Sequence, residues 1–156
     1  MLTWFIALSH SWLGQYMQQS RWGFAVVEAV HLLGLAVLGG VILIVDLRLL
    51  GLILRTESAR TISRGLSRML LISMSVMVLT GIALTSEEAL KCYHSPAFRW
   101  KMLLLAAALL FYATLHRAAL LRTDKYQANL WSRLAGITSL TLWFGVGVAG
   151  RAIGLL

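Results

Sequence analysis

The sequence is poor in charge, cysteine and proline, and each shortage excludes a class of protein. Only 13% of its 156 residues are Asp, Glu, Lys or Arg, where soluble domains carry about 25%. That leaves too little polar surface to coat a water-soluble globule. The single cysteine, Cys92, excludes an internal disulfide and a cysteine metal cage. One proline is typical of long helices rather than of a turn-rich β fold.

Apolar residues, in contrast, make up 59% of the chain, which also excludes a disordered protein. Four apolar runs reach the length of about 20 residues that a membrane span requires: 22–45, 66–85, 100–121 and 134–156. Because lipid offers no partner to backbone polar groups, each run is expected to be a helix. Short connectors favour antiparallel neighbours. We therefore predict an all-α fold, a four-helix transmembrane up-down bundle over residues 21–156.

Residues 1–20 have a different pattern. Phe5, Leu8, Trp12 and Tyr16 recur at helical spacing among polar residues. This pattern predicts a short amphipathic helix that lies in the membrane interface in front of the bundle.

The basic residues flank the apolar runs, so the net charge of +8 indicates membrane topology rather than nucleic-acid binding. The connectors between helices one and two and between helices three and four carry nine Lys and Arg residues; the other side carries five. The positive-inside rule places the side with nine in the cytoplasm. We therefore expect a multi-pass protein of the bacterial inner membrane with both termini in the periplasm.

Ionisable residues inside the apolar runs are the candidate functional groups, because a charge in lipid is costly. In the first run Glu28, Leu35, Gly39 and Asp46 fall on one stripe, with His31 beside it. This stripe is expected to face the bundle interior or a subunit contact. Helix depth, at about 1.5 Å per residue, divides the candidates into two groups: Glu28, His31, Lys101 and Arg151 toward the outer face, and Asp46, Arg48 and His116 toward the inner face.

The outer group has the residue types of a haem b site. His31 is the candidate axial ligand, and Met77 lies at a similar depth on helix two. Glu28 is placed to orient the imidazole, while Arg151 and Lys101 offer charges for propionates or an ion pair with Glu28. A second ligand from another subunit is the alternative to Met77. His31 and His116 differ by roughly 10 to 13 Å in height, which disfavours one haem between them; His116 with Asp46 and Arg48 forms a possible second site.

Two signatures carry a resemblance to a known family. The first is ExxHxxG followed by DLRxxG, from Glu28 to Gly51, and the second is LWxGVxxAGR, from Leu142 to Arg151. The chain resembles a family of short four-helix bacterial inner-membrane proteins of uncharacterised function over nearly its whole length. It is more distantly similar to the membrane domains of copper-resistance D proteins and to small b-type cytochromes. The resemblance implies a four-helix inner-membrane fold and places histidine within the bundle.

The sequence leaves three functions open. The first is a haem b electron-transfer protein, or the membrane subunit of a redox complex, with a quinone and a periplasmic redox partner. The second is a conduit for protons, ions or small solutes, and the third is a structural accessory subunit. A bundle this small is expected to work as a homo-oligomer or in a larger complex. It has no HExxH, GxSxG or phosphate-binding loop, so an enzyme acting alone is not expected.

Overall fold

The computed structural model describes residues 2–54, 56–87, 89–122 and 129–153, and these residues form helices and no strand. The helices are α1 (Leu2–Ser9), α2 (Trp12–Gln19), α3 (Arg21–Leu49), α4 (Ala59–Glu87), α5 (Ala89–His94), α6 (Pro96–Phe111), α7 (Arg117–Arg122) and α8 (Leu130–Ile153). A π-helical turn, Tyr112–His116, joins α6 to α7. The all-α prediction is confirmed.

Four helical segments are long and apolar enough to cross a membrane: Arg21–Leu49, Ala59–Glu87, Pro96–Leu120 and Leu130–Ile153. They contain the four predicted runs apart from the terminal residues of the third and fourth. The helices begin earlier because polar caps and polar turns precede the apolar residues. Ser20 accepts a hydrogen bond from the Gly23 amide at 3.0 Å, and Asn129 accepts one from the Ser132 amide at 2.7 Å.

The described part of residues 1–20 forms two short helices, α1 and α2, where one was expected. The break falls at Ser11, whose hydroxyl caps α2 by accepting from the Gly14 amide at 3.2 Å. The side-chain amide of Gln18 donates to the Glu87 backbone carbonyl at 3.1 Å, which fixes α2 to the end of α4. We call this end of the bundle the terminal face.

The opposite end, which we call the basic face, carries the α3–α4 connector. Helix α3 ends there in a Schellman motif. The Gly51 backbone amide donates to the Arg48 carbonyl and the Leu52 backbone amide donates to the Leu47 carbonyl, both at 3.0 Å. Gly51 takes φ 77°, a conformation that favours glycine. The motif turns the chain back into α4 and leaves the last turn of α3 inside the bundle.

The packing is tightest toward the basic face. Buried Val45, Leu49, Ala59 and Leu120 form an apolar cluster there, with Ile62 and Leu66 packed against it. Helix α8 also approaches closely at this level, since a Cβ built on Gly136 would lie 3.0 Å from the Asp46 carbonyl oxygen. In contrast, a Cβ built on Gly39, Gly40 or Gly147 would have no atom within 4 Å.

This contrast predicts the outcome of two matched substitutions in α8. Gly136→Ala forces α8 away from the α3 backbone and is expected to cost about 1 to 3 kcal/mol of stability. Gly147→Ala has free space and should be neutral or slightly stabilising. Thermal unfolding in mild detergent measures both variants, and equal stability of the two would contradict the close approach of α8 to Asp46.

Candidate functional site

A buried acid–base pair lies at the centre of the basic half of the bundle. Asp46 is in the last turn of α3, and His116 ends the π-helical turn. His116 Nε2 and Asp46 Oδ1 are 2.8 Å apart, and both residues are 0% exposed. Because an ionised carboxylate only accepts hydrogen bonds, the proton of this bond lies on Nε2 when Asp46 is charged. The pair therefore shares a proton position within the apolar interior.

Aromatic rings enclose the imidazole. The Tyr112 ring stacks on that of His116, with centroids 4.7 Å apart and planes at 23°, and Phe111 meets it edge-on at 6.5 Å. The side chain of Ser63 on α4 interacts with Tyr112. Tyr112 and His116 are the first and last residues of the π-helical turn, a conformation that recurs at functional sites. The local backbone thus presents the ring and the imidazole together.

Polar atoms around the pair have further hydrogen-bonding capacity. Asp46 Oδ2, His116 Nδ1 and Ser139 Oγ are buried and have no hydrogen-bond partner among the described residues. Ser139 lies on α8, one turn beyond the Gly136 contact with Asp46. Native interiors leave few such atoms unpaired, so their presence on three helices of one bundle marks this region as a candidate site.

The side chain of Arg48 contacts the connector between α3 and α4. It is only 1% exposed, and its Nε donates to the Glu57 carbonyl at 2.7 Å across the α3–α4 connector. The sequence grouped Arg48 with Asp46 and His116 by depth. Two residues apart on a helix, Asp46 and Arg48 project in different directions. The structure joins Asp46 to His116, while this contact of Arg48 anchors the chain after α3.

The second predicted centre, His31, has its own partner on α4. His31 Nδ1 and Thr80 Oγ1 are 2.7 Å apart, and Thr80 Oγ1 donates its own proton to the Val76 carbonyl at 2.6 Å. Thr80 must then accept, so Nδ1 carries the proton and Nε2 keeps its lone pair. This is the tautomer in which an imidazole binds a metal through Nε2, held in orientation from the other nitrogen.

Met77 faces α3 one turn from Thr80. Its sulfur lies 3.5 Å from the Cβ position of Gly34, and Val76 lies 3.1 Å from the same point. Helices α3 and α4 therefore pack directly against each other at this level. A flat macrocycle between His31 and Met77 would have to separate them, so these two residues do not fit an intramolecular haem sandwich, whereas His31 alone fits as a ligand.

The remaining outer candidates are dispersed. Lys101 acts electrostatically on His31 and reaches α8, its Nζ 3.8 Å from the Cβ position of Gly150. Glu28 and Arg151 are both exposed, and no ion pair joins these two described residues. Glu28, Leu35 and Gly39 are exposed in the single chain while Asp46 is buried. The stripe was expected to face either the bundle interior or a subunit contact. Asp46 faces the bundle interior, while the exposed Glu28, Leu35 and Gly39 fit a subunit contact.

His31 and His116 have different partners in the structure, Thr80 for the first and Asp46 for the second. No group of three or more His, Cys, Asp or Glu side chains suited to a metal occurs in the described ranges. Sequence reasoning did not select Ser63, Ser139 or Thr80, because serine and threonine are ordinary in membrane helices.

Fold and site together define a multi-pass helical membrane protein with a buried acid–base pair in its bundle. The chain belongs to a family of unknown function, DUF6644, whose model matches residues 5–156. No curated protein and no solved structure matches the chain. The family assignment agrees with the resemblance to an uncharacterised family and leaves the function to be argued from the site.

Proposed function

We propose that this protein exchanges protons within the membrane at the Asp46–His116 pair and forms a proton conduit. The observation that carries the proposal is the 2.8 Å bond between a carboxylate and an imidazole that are both fully buried. Carboxylate and imidazole chains are the groups that pumps and transporters use to relay protons through a bilayer. The sequence left open whether a conduit would carry protons, ions or small solutes, and the proposal is specific to protons.

The buried pair offers two positions for a proton. Asp46 and His116 are both 0% exposed, in a medium of low dielectric constant where a net charge is costly. A proton added to the pair can lie on the imidazole or on the carboxyl group. The pair is therefore a proton-binding site with two internal positions.

Four helices supply only a narrow interior, so we propose that the conduit is completed by an oligomer. The exposed terminal half of the α3 stripe, with Glu28, Leu35 and Gly39, offers a face for a second copy. A monomer of this size would expose these positions to lipid, where the Glu28 carboxylate is costly.

Flux measurements test the proposal directly. Liposomes containing the full chain and a pH-sensitive dye are expected to lose an imposed pH gradient faster than protein-free liposomes. Asp46→Asn keeps the shape of the side chain and removes its acid group, so its flux should fall to the protein-free rate. Glu57→Gln, an exposed carboxylate in the connector, is the matched control and should keep wild-type flux.

Gel filtration and circular dichroism of each variant establish that loss of flux is not loss of fold. Wild-type liposomes that hold the gradient as long as protein-free ones, or full flux in folded Asp46→Asn, would contradict the proposal.

We also propose an orientation, in the bacterial inner membrane with the basic face in the cytoplasm, on the basis of the nine-to-five distribution of Lys and Arg. In a Cys92→Ala background, a membrane-impermeant maleimide should label Gln19→Cys in intact cells and should label Thr56→Cys only after lysis. Both are exposed positions, one at each face. The reverse labelling pattern is incompatible with this orientation.

A second candidate function, haem b binding for electron transfer, rests on the tautomer of His31. The Thr80 contact leaves Nε2 with a free lone pair, the arrangement that an axial ligand needs. Bound haem would supply one-electron chemistry. Because the α3–α4 contact is closed at Gly34, the second ligand would come from another subunit or a partner in a redox complex, with a quinone and a periplasmic acceptor as the expected electron partners.

A reduced-minus-oxidised spectrum separates the two candidates. A haem protein purified after expression with ample haem gives a b-type α-band that disappears in His31→Ala and persists in His94→Ala, since His94 is exposed. A colourless protein, or a band unchanged in His31→Ala, removes His31 as a haem ligand. A colourless protein without proton flux would leave the third function, a structural accessory subunit.

A further inference from the structure

The hydroxyl of Ser139 is an exception among the buried serines of the described spanning helices. Such side chains usually donate to the carbonyl three or four residues earlier. Ser73, Ser86 and Thr141 do so at 2.7 to 2.9 Å. Ser139 is only 1% exposed, yet its Oγ has no partner among the described residues. The Ser139 hydroxyl can therefore form hydrogen bonds with another group in the bundle interior.

The carboxylate of Asp46 lies at the same level. Gly136 contacts the Asp46 backbone, and Ser139 is one turn further along α8 toward the terminal face, about 4.5 Å by helical rise. Side chains on a helix tilt toward its N-terminus, which for α3 is also toward the terminal face. The tilt therefore carries the Asp46 carboxylate toward the level of Ser139, and both Oδ2 and Oγ are unpaired there.

We infer that a water molecule is bound inside the bundle between Asp46 Oδ2 and Ser139 Oγ, next to His116. Buried waters typically make about three hydrogen bonds to polar groups that have no other partner. Here the carboxylate oxygen accepts from the water, and the serine hydroxyl donates to it or accepts from it. The site takes a small neutral molecule with both donor and acceptor capacity.

The water extends the polar contacts across all four spanning segments. Ser63 of α4 interacts with Tyr112, and the Tyr112 ring stacks on that of His116. His116 is hydrogen-bonded to Asp46 of α3, and the water joins Asp46 to Ser139 of α8. Its role rests on the proposed function: hydrogen-bonded to Asp46, it is the neighbour with which the pair exchanges a proton. The existence of the bound water does not require proton flux, so the two are tested separately.

Magic-angle-spinning NMR of the full chain in lipid bilayers tests the inference. The chain is labelled with [4-¹³C]aspartate and ¹⁵N-histidine, and magnetisation is transferred from water protons to the labelled side chains. The Asp46 carboxyl signal, assigned by its loss in Asp46→Asn, is expected to receive magnetisation from water at short mixing times. Exposed His10 and His94 are the internal standards for contact with bulk water.

Ser139→Ala removes one hydrogen bond to the water and should lower the transfer rate to Asp46 about fivefold, the effect of one hydrogen bond on occupancy. Ser73→Ala is the matched control, a buried serine whose hydroxyl is satisfied within α4, and should leave the rate unchanged. No transfer to Asp46 in the wild type while His10 and His94 receive it would overturn the inference. So would an equal rate in Ser139→Ala and Ser73→Ala. Proton flux measured on the same bilayers reports on the proposed function independently.

Discussion

The structure depends on a single constraint: a carboxylate in the apolar interior must have a partner. Asp46 is fully buried in the last turn of α3 and is bonded to His116 at 2.8 Å. Removing one partner of such a pair leaves the other buried without a partner, and this strongly lowers the stability of the protein. The requirement fixes the distance between α3 and the π-helical turn and thus the arrangement of the helices around them.

Other features of the basic half support this contact. The Schellman motif ends α3 directly after Asp46 and Arg48, and Arg48 anchors the connector through the Glu57 carbonyl. Gly136 lets α8 approach the Asp46 backbone. The apolar cluster around Val45 and Leu49 packs at the same level. Toward the terminal face, Glu28 and Leu35 are exposed, and a Cβ on Gly147 would meet no atom within 4 Å. The bundle thus has a closed half with the acid–base pair and an open half with His31.

Composition and hydropathy were sufficient to predict the helical class and the four spans, because the bilayer imposes one length and one backbone geometry on each segment. His31 and His116, which the sequence assigned to different groups, have different hydrogen-bond partners in the structure. The direction of each side chain was harder to obtain. A 100° stripe placed Glu28 and Asp46 on one face, but the neighbouring helices cover only the Asp46 end of it. The π-helical turn at Tyr112–His116 has no sequence signal, and it decides how Tyr112 and His116 lie relative to each other.

Serine and threonine roles were likewise beyond the reach of the sequence. Thr80 fixes the tautomer of His31 only because its own proton is used by Val76. Ser139 differs from Ser73 only in that its hydroxyl lacks a carbonyl partner among the described residues. Both distinctions depend on rotamers and neighbours. They nevertheless determine which nitrogen of a histidine is free and which buried groups remain to bind a ligand.

A double-mutant cycle tests the central claim, that Asp46 and His116 act as one buried pair. Stability of the wild type, Asp46→Asn, His116→Gln and the double variant is measured by denaturant unfolding in mild detergent. The structure predicts that the effects are not additive, with a coupling of about 1 kcal/mol or more. Glu57→Gln combined with His116→Gln should be additive within about 0.5 kcal/mol. Additive effects of Asp46→Asn and His116→Gln within that same margin would contradict the pair on which the account rests.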